Sequence, residues 1–275
     1  MAQTKVNGGS ASPVLEVAKL RKVYEDEFTE EIVTAIDDVS FKVEKGDFVS
    51  ILGPSGCGKT TVLNIIAGFI KPSSGSVLLN AQEIKGPGPD RGVVFQSFAL
   101  FPWRTVLQNV TFGPKMRGIG RSKREASARE YVKLVGLEGF ENRYPHELSG
   151  GMRQRVGVAR VLANEPAVML MDEPFASIDA QTRMSLQQDL TAIWERQRPT
   201  IFFVTHDVEE AVFLSNRIVV LSRRPSRVRE IVEVDIPRPR NWSHLIEDAQ
   251  FRKLTHHVIR LLSDGPKGAQ HAAPA

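Results

Sequence analysis

An α/β fold is predicted: a mostly parallel sheet covered by helices on both faces, with an N-terminal antiparallel β portion and an inserted α-helical subdomain. Three observations carry this. Short apolar runs alternate with helical stretches along much of the chain, as in parallel strands joined through covering helices. Between one such run and one such helix stands Gly53-Pro54-Ser55-Gly56-Cys57-Gly58-Lys59-Thr60, which matches G-x-x-x-x-G-K-[ST]. From residue 97 to 165, helical patterns replace strand signals and mark the insertion.

In chain order, Val14 to Val17 begins the first strand, and residues 36–43 alternate apolar and polar from Val39 as a half-exposed second. Glu44 to Asp47 is a turn. Phe48 to Leu52 is a buried strand, and the helix from Thr61 to Gly68 closes near Pro72 and Gly75. Ser76 to Asn80 and Val93 to Phe95 are short strands on either side of the rigid connection Gly86 to Asp90. Ser122-Lys123-Arg124-Glu125 resembles a capping box that opens a helix to about Leu134. Val168 to Met171 is a buried strand, residues 180–197 a helix and Ile201 to Val204 a strand. A helix through Glu209 to Leu214, a strand from Ile218 to Leu221 and a C-terminal helix over His244 to Leu262 complete the series.

The glycine-rich loop carries the first chemistry. Its glycines let successive backbone N–H groups turn inward around a β-phosphate, and the following helix adds its positive N-terminus. Lys59 reaches the β- and γ-phosphates, and the Thr60 hydroxyl ligates Mg²⁺. Asp172, at the end of the strand 168–171, is the second anchor for Mg²⁺, direct or through water, and Glu173 is the candidate general base for an attacking water. Ser149, in Leu148-Ser149-Gly150-Gly151-Met152, reads as the N-cap of a helix whose glycines expose N–H groups to a second anion. One phosphate loop and two anion sites suggest that two molecules share the work.

Composition narrows the setting. The chain has 275 residues, 41% hydrophobic and 25% charged, an ordinary composition that can bury a core. A net charge of +4 does not by itself call for nucleic acid. Cys57 is the one cysteine, so no disulfide forms within the chain, which fits a reducing cytosol. It reads as a small loop filler. No apolar stretch approaches the roughly 20 residues that span a bilayer. Residues 1–13 are small and polar and read as a disordered N-terminal tail, and Gly265 onward reads as a second disordered segment.

In this order the motifs resemble the nucleotide-binding subunit of ATP-binding-cassette (ABC) transporters, from about Val14 to Val234. The resemblance implies an ATPase domain over 14–235 on a P-loop NTPase core, with the helical subdomain at about 97–165 and a C-terminal extension at 236–275. It implies that Gly53, Pro54, Ser55, Gly56, Cys57, Gly58, Lys59, Thr60 and Thr61 bind ATP. Ser149, Gly150 and Gly151 match the diagnostic signature. Gln96 matches the glutamine that senses Mg²⁺ and the γ-phosphate, and His206 the switch histidine. Tyr24 matches the aromatic on which adenine stacks. Ser177-Ile178-Asp179 matches the loop that crosses the dimer interface, with Ile178 where Ala or Leu is more usual. Catalysis then falls to Glu173, His206, Lys59 and Gln96, and the metal to Thr60, Gln96 and Asp172. Two copies, or one copy and a homologous ATPase, sandwich two ATP molecules.

A finer likeness points to importers of nitrate, sulfonates and taurine. Its carriers are Pro89 to Gln96, Phe101 to Val106 and Val234 to Arg240. The implied partners are integral-membrane permease subunits and, indirectly, a solute-binding protein. The implied location is peripheral, on the cytoplasmic face of the bacterial inner membrane. Phe98 to Trp103 is expected either to help receive a short helix from the permease or to serve as core of the subdomain. Arg223, Arg224, Arg227 and Arg229 face anionic lipid or only solvent. Bicarbonate and thiamine-precursor pyrimidines stay open as cargo. Exporters and non-transport ABC ATPases are the remaining rivals, because Leu148 to Gly151 argues against a kinase or GTPase.

Overall fold

The computed structural model describes residues 12–25 and 31–263. Most of the expected N-terminal tail, and the whole tail from Gly265, lie outside those residues. The chain opens with β1 (Leu15–Glu25), β2 (Ile32–Val43), β3 (Phe48–Leu52), α1 (Lys59–Ala67), β4 (Ser74–Leu79), β5 (Gln82–Glu83) and β6 (Arg91–Val94). The inserted helices are α2 (Val106–Val110), α3 (Phe112–Met116), α4 (Arg121–Leu134) and α5 (Gly150–Leu162). Then come β7 (Val168–Asp172), α6 (Ala180–Gln197), β8 (Ile201–Val204), α7 (Val208–Leu214), β9 (Arg217–Leu221) and β10 (Val228–Glu233). Helices α8 (Trp242–Leu245) and α9 (Ala249–Ser263) end the described chain.

The strands form two sheets. One is antiparallel, in the order β2-β1-β4-β5, and the other runs β10-β9-β3-β8-β7-β6. In the second, β9, β3, β8, β7 and β6 are parallel and only β10 is reversed. Alternate residues of its inner strands point to different cores. Phe48, Met169, Met171, Ile201 and Phe203 join one apolar cluster, whereas Val49, Ile51, Val168, Leu170, Phe202 and Val204 join the other. A parallel strand buried on both faces reads as a continuous apolar run, which is why these segments carry no alternation in sequence.

This topology positions the site. Parallel strands place their carboxyl ends on one edge of the sheet, where ligands of open α/β folds bind. The phosphate loop leaves β3, Gln96 follows β6, Glu173 follows β7 and His206 follows β8. Ile51 and Asp172 are both in register with Val204.

Two expectations are corrected. No capping box opens α4. Gly120 is the N-cap without a side-chain cap, Ser122 lies inside the first turn, and Glu125 pairs with Arg121 one turn back at 2.8 Å. The C-terminal helix is two helices. Asn241 Oδ1 accepts from Ser243 N to start α8, and Asp248 Oδ1 accepts from Phe251 N at 2.8 Å to start α9. Strand β10 shows no clear signal in sequence.

The segment Val234 to Arg240 packs under α7. Arg240 is buried, and its guanidinium donates to the carbonyls of Val212, Phe213 and Ser215 at 2.8–3.0 Å and to those of Val234 and Ile236. A cation at a helix C-terminus meets unpaired carbonyls and the negative end of the dipole. Burial nonetheless pushes its pKa down to about 9.

Candidate functional site

The phosphate loop closes on itself through Lys59. Its ammonium donates to Gly53 O at 2.9 Å and Pro54 O at 3.4 Å, and the residue is only 6% exposed. Gly56 (φ 73°) and Gly58 (φ 100°) occupy left-handed backbone conformations that a side chain would strain. Cys57 is buried beneath the loop. Burial raises its thiol pKa, and the Lys59 charge opposes that rise.

Behind the loop, Thr60 Oγ1 donates to Asp172 Oδ1 at 3.2 Å. Burial raises the Asp172 pKa, with the Thr60 hydrogen bond and Lys59 acting against it and Glu173 adding to it. Two adjacent hard oxygens, one of them a desolvated carboxylate, suit a small divalent cation. These residues would hold Mg²⁺, which would supply Lewis-acid polarisation there.

Beside Asp172, Glu173 has φ 44°. A non-glycine residue held there costs ~1–3 kcal/mol and persists only where the surroundings impose it. Here its N–H donates to Val204 O at 3.0 Å, and its Oε2 lies 3.1 Å from His206 Nδ1. Glu173, His206, Lys59, Thr60, Thr61, Ser55, Gly56 and Gly58 share one pocket of about 620 Å³. Tyr24 stands at its rim, 42% exposed, with its hydroxyl 3.5 Å from Thr61 Oγ1. Gln96 is exposed beyond β6 and does not line this pocket.

Ser149, Gly150, Gly151 and Asp179 form a second group outside that pocket. Ser149 caps α5 by accepting from Met152 N at 3.3 Å, and Asp179 caps α6 by accepting from Thr182 N at 3.0 Å. That backbone hydrogen bond holds the Asp179 pKa down. The two caps are neighbours. A methyl on Gly151 would stand 2.7 Å from Thr182 Cγ2, and one on Gly150 would stand 3.5 Å from Ile178 Cδ1. Helix α5 also grips the segment after Gln96, since Arg160 donates to Ala99 O at 2.6 Å and Phe98 O at 3.2 Å.

A buried carboxylate links these parts. Glu210 accepts from Thr205, next to His206, and from Gln187 Nε2 on α6 at 2.8 Å. Burial raises its pKa, against both hydrogen bonds. A raised folded pKa stabilises the fold below the unfolded value, and the contribution is lost as pH rises through the folded value. Wild-type denaturant midpoints should therefore fall, relative to Glu210→Gln, as pH rises above the ordinary carboxylate range. Parallel midpoint–pH curves would remove Glu210 as the source.

Sequence reading put Arg224 in a basic cluster facing lipid or solvent; the side chain instead lines the same pocket. Of the basic cluster around it, Arg227 instead binds Asp37 at 2.6 Å and Arg229 donates to Leu261 O at 2.5 Å. Arg224, Arg227 and Arg229 thus each take a different partner. No sequence signal pairs Arg224 with a loop some 168 residues away.

Residues 36–176 match the family model described as ABC transporter. An uncharacterized ABC transporter ATP-binding protein of Methanocaldococcus jannaschii is 52% identical over 246 residues, 90% of this chain and 91% of its own length. The taurine import ATP-binding protein TauB of Rhizobium johnstonii is 48% identical over 75% of this chain and 79% of its own. The nitrate import ATP-binding protein NrtD of Synechocystis is 43% identical over 90% of this chain and 94% of its own. Among solved structures, a dimeric ATP-binding cassette in a post-hydrolysis state, bound to ADP and Pi, has a TM-score of 0.69 at 34% identity. That match covers 81% of this chain and all of the other.

Proposed function

This chain belongs to the ABC transporter family and is an ATPase of it, and from that premise we propose that it powers an importer of the nitrate, sulfonate and taurine class. The single observation that carries the class is the identity to the TauB and NrtD subunits over most of both chains.

In this reading two copies, or one copy and a homologous ATPase, meet head to tail. The division of the site supports it: Lys59, Glu173 and His206 share one pocket, whereas Ser149 to Gly151 and Asp179 stand outside it. The signature of one copy would then close on the γ-phosphate held by the other. Bound Mg²⁺ would be held by Thr60 and Asp172, and Gln96, which stands outside the pocket beyond β6, would have to swing inward to join them. Glu173 accepts the proton of the attacking water, and His206 orients Glu173 and meets charge on the transferring group.

The membrane partner would dock beside the segment after Gln96. A groove of about 520 Å³ there is lined by Phe95, Phe101, Phe112 and Met116 among others. Phe101 packs on Phe112 at 4.5 Å, and Trp103 is 71% exposed at the neighbouring turn. Phe98 and Leu100 instead pack against the core. An apolar groove of this kind receives an amphipathic helix. Arg160, which lines the groove, also holds Phe98 and Ala99, so the groove is built in part on the signature helix α5. No described helix is long and apolar enough to cross a membrane. In this reading, resting on the likeness to the import subunits, the ATPase would work from the cytoplasmic face through permease subunits, with a solute-binding protein supplying cargo.

Growth of a deletion strain on sole sulfur and sole nitrogen sources tests the class. Loss on taurine or another sulfonate, or on nitrate, restored by wild type and not by Glu173→Gln, is the expected outcome. Normal growth on all of these, with loss under bicarbonate limitation or pyrimidine-precursor dependence, would reassign the cargo.

A further inference from the structure

We propose that Arg224 is a nucleotide-binding residue, a second cation directed at the phosphates beside Lys59, which also braces the outer turn of the phosphate loop. Arg224 Nε donates to Gly56 O at 2.5 Å. Its side chain lines the pocket that Lys59, Thr60, Glu173 and His206 share. Among the described residues no carboxylate lies within 4.0 Å of it, in contrast to Arg227 on Asp37. One guanidinium donor is spent on Gly56 and no other described acceptor takes the rest. The side chain lines a site built for a polyanion, and the planar fork of a guanidinium matches phosphate oxygens.

The turn that bears Arg224 is fixed. Ser226, two residues on, is buried, and both its N–H and its hydroxyl donate to Ala35 O, at 3.2 and 3.0 Å. Asp37 N donates back to Ser226 O at 2.8 Å. Ser222 Oγ accepts from Arg227 N at 2.9 Å and closes the turn. The turn is therefore stitched to β2 and abuts the loop, so Arg224 reaches Gly56 from a rigid base. Gly56 has no side chain to intervene: a methyl there would touch Arg224 Nη2 at 3.5 Å.

The proposal rests on the reading of this pocket as the ATP site, and wild-type binding tests that reading separately. The experiment measures Kd for ATP and ADP on wild type, Arg224→Ala and Arg224→Lys at two salt concentrations. Wild type binds both nucleotides, which establishes the site. Arg224→Ala is expected to weaken both by roughly 10-fold, the scale of one hydrogen bond from a charged group, and to flatten the salt dependence. Arg224→Lys, which keeps the charge but not the fork, should restore the salt dependence and part of the affinity. Wild-type Kd values and wild-type salt dependence in Arg224→Ala would overturn the proposal. So would a loss of affinity in Arg224→Ala with the salt dependence intact, because that outcome assigns Arg224 to bracing alone. Arg224→Gln, of similar length and uncharged, serves the same comparison if the alanine variant does not fold.

Discussion

Glu173→Gln is expected to lower ATP turnover by about 100- to 10,000-fold, the range that a positioned general base supplies, while ATP affinity stays within a few-fold of wild type. The exchange conserves shape. The substituted glutamine would keep the backbone bond to Val204 O and a polar contact to His206, which in wild type spans 3.1 Å. What the exchange removes is the capacity to take a proton from water. The left-handed backbone at this position aims the side chain into the pocket beside Lys59 and Thr60, so its loss is a loss of chemistry and not of packing. Steady-state phosphate release and equilibrium ATP binding, measured together, separate the two. Turnover within 10-fold of wild type would assign the base elsewhere.

Lys59→Ala is expected to weaken ATP binding by about 10- to 100-fold, since a hydrogen bond to a charged group contributes ~1.5–3 kcal/mol. The ammonium is nearly buried and donates to two loop carbonyls, Gly53 O and Pro54 O. It therefore shapes the loop as well as supplying charge. Lys59→Met retains the apolar stem and removes the charge with its N–H donors, so it should bind almost as weakly as the alanine variant if the ammonium, and not stem packing, carries the affinity. Titration with ATP, checked by circular dichroism for folding, measures this. An unchanged affinity in both variants would take Lys59 out of its role.

The phosphate loop, the strand ends and the helix over 180–197 were legible because each is written in contiguous residues. Apolar runs without alternation announce buried parallel strands, and Gly56 and Gly58 mark backbone that only glycine adopts freely. The opening of α4 was misread because Ser122 and Glu125 have the capping-box spacing, while Gly120 and the Arg121–Glu125 pair fix the actual start. Local pattern cannot show which of two compatible starts the chain takes. Arg224 was misplaced for a different reason. Its partner is Gly56, far away in sequence, and only the stitching of its turn to Ala35 and Asp37 brings them together. The same holds for Gly151 against Thr182, a close approach of two helices. Contacts between distant segments belong to the packing, and motif spacing carries no trace of them.

The most direct test of the account is the oligomeric state of Glu173→Gln with ATP, compared with ADP, by sedimentation velocity. The proposed site joins the phosphate loop of one copy to Ser149 and Gly151 of another, so a variant that binds ATP without consuming it should accumulate as a dimer. With ADP, which lacks the γ-phosphate to be shared, it should remain monomeric. A variant that binds ATP fully yet sediments as a monomer would contradict the composite site.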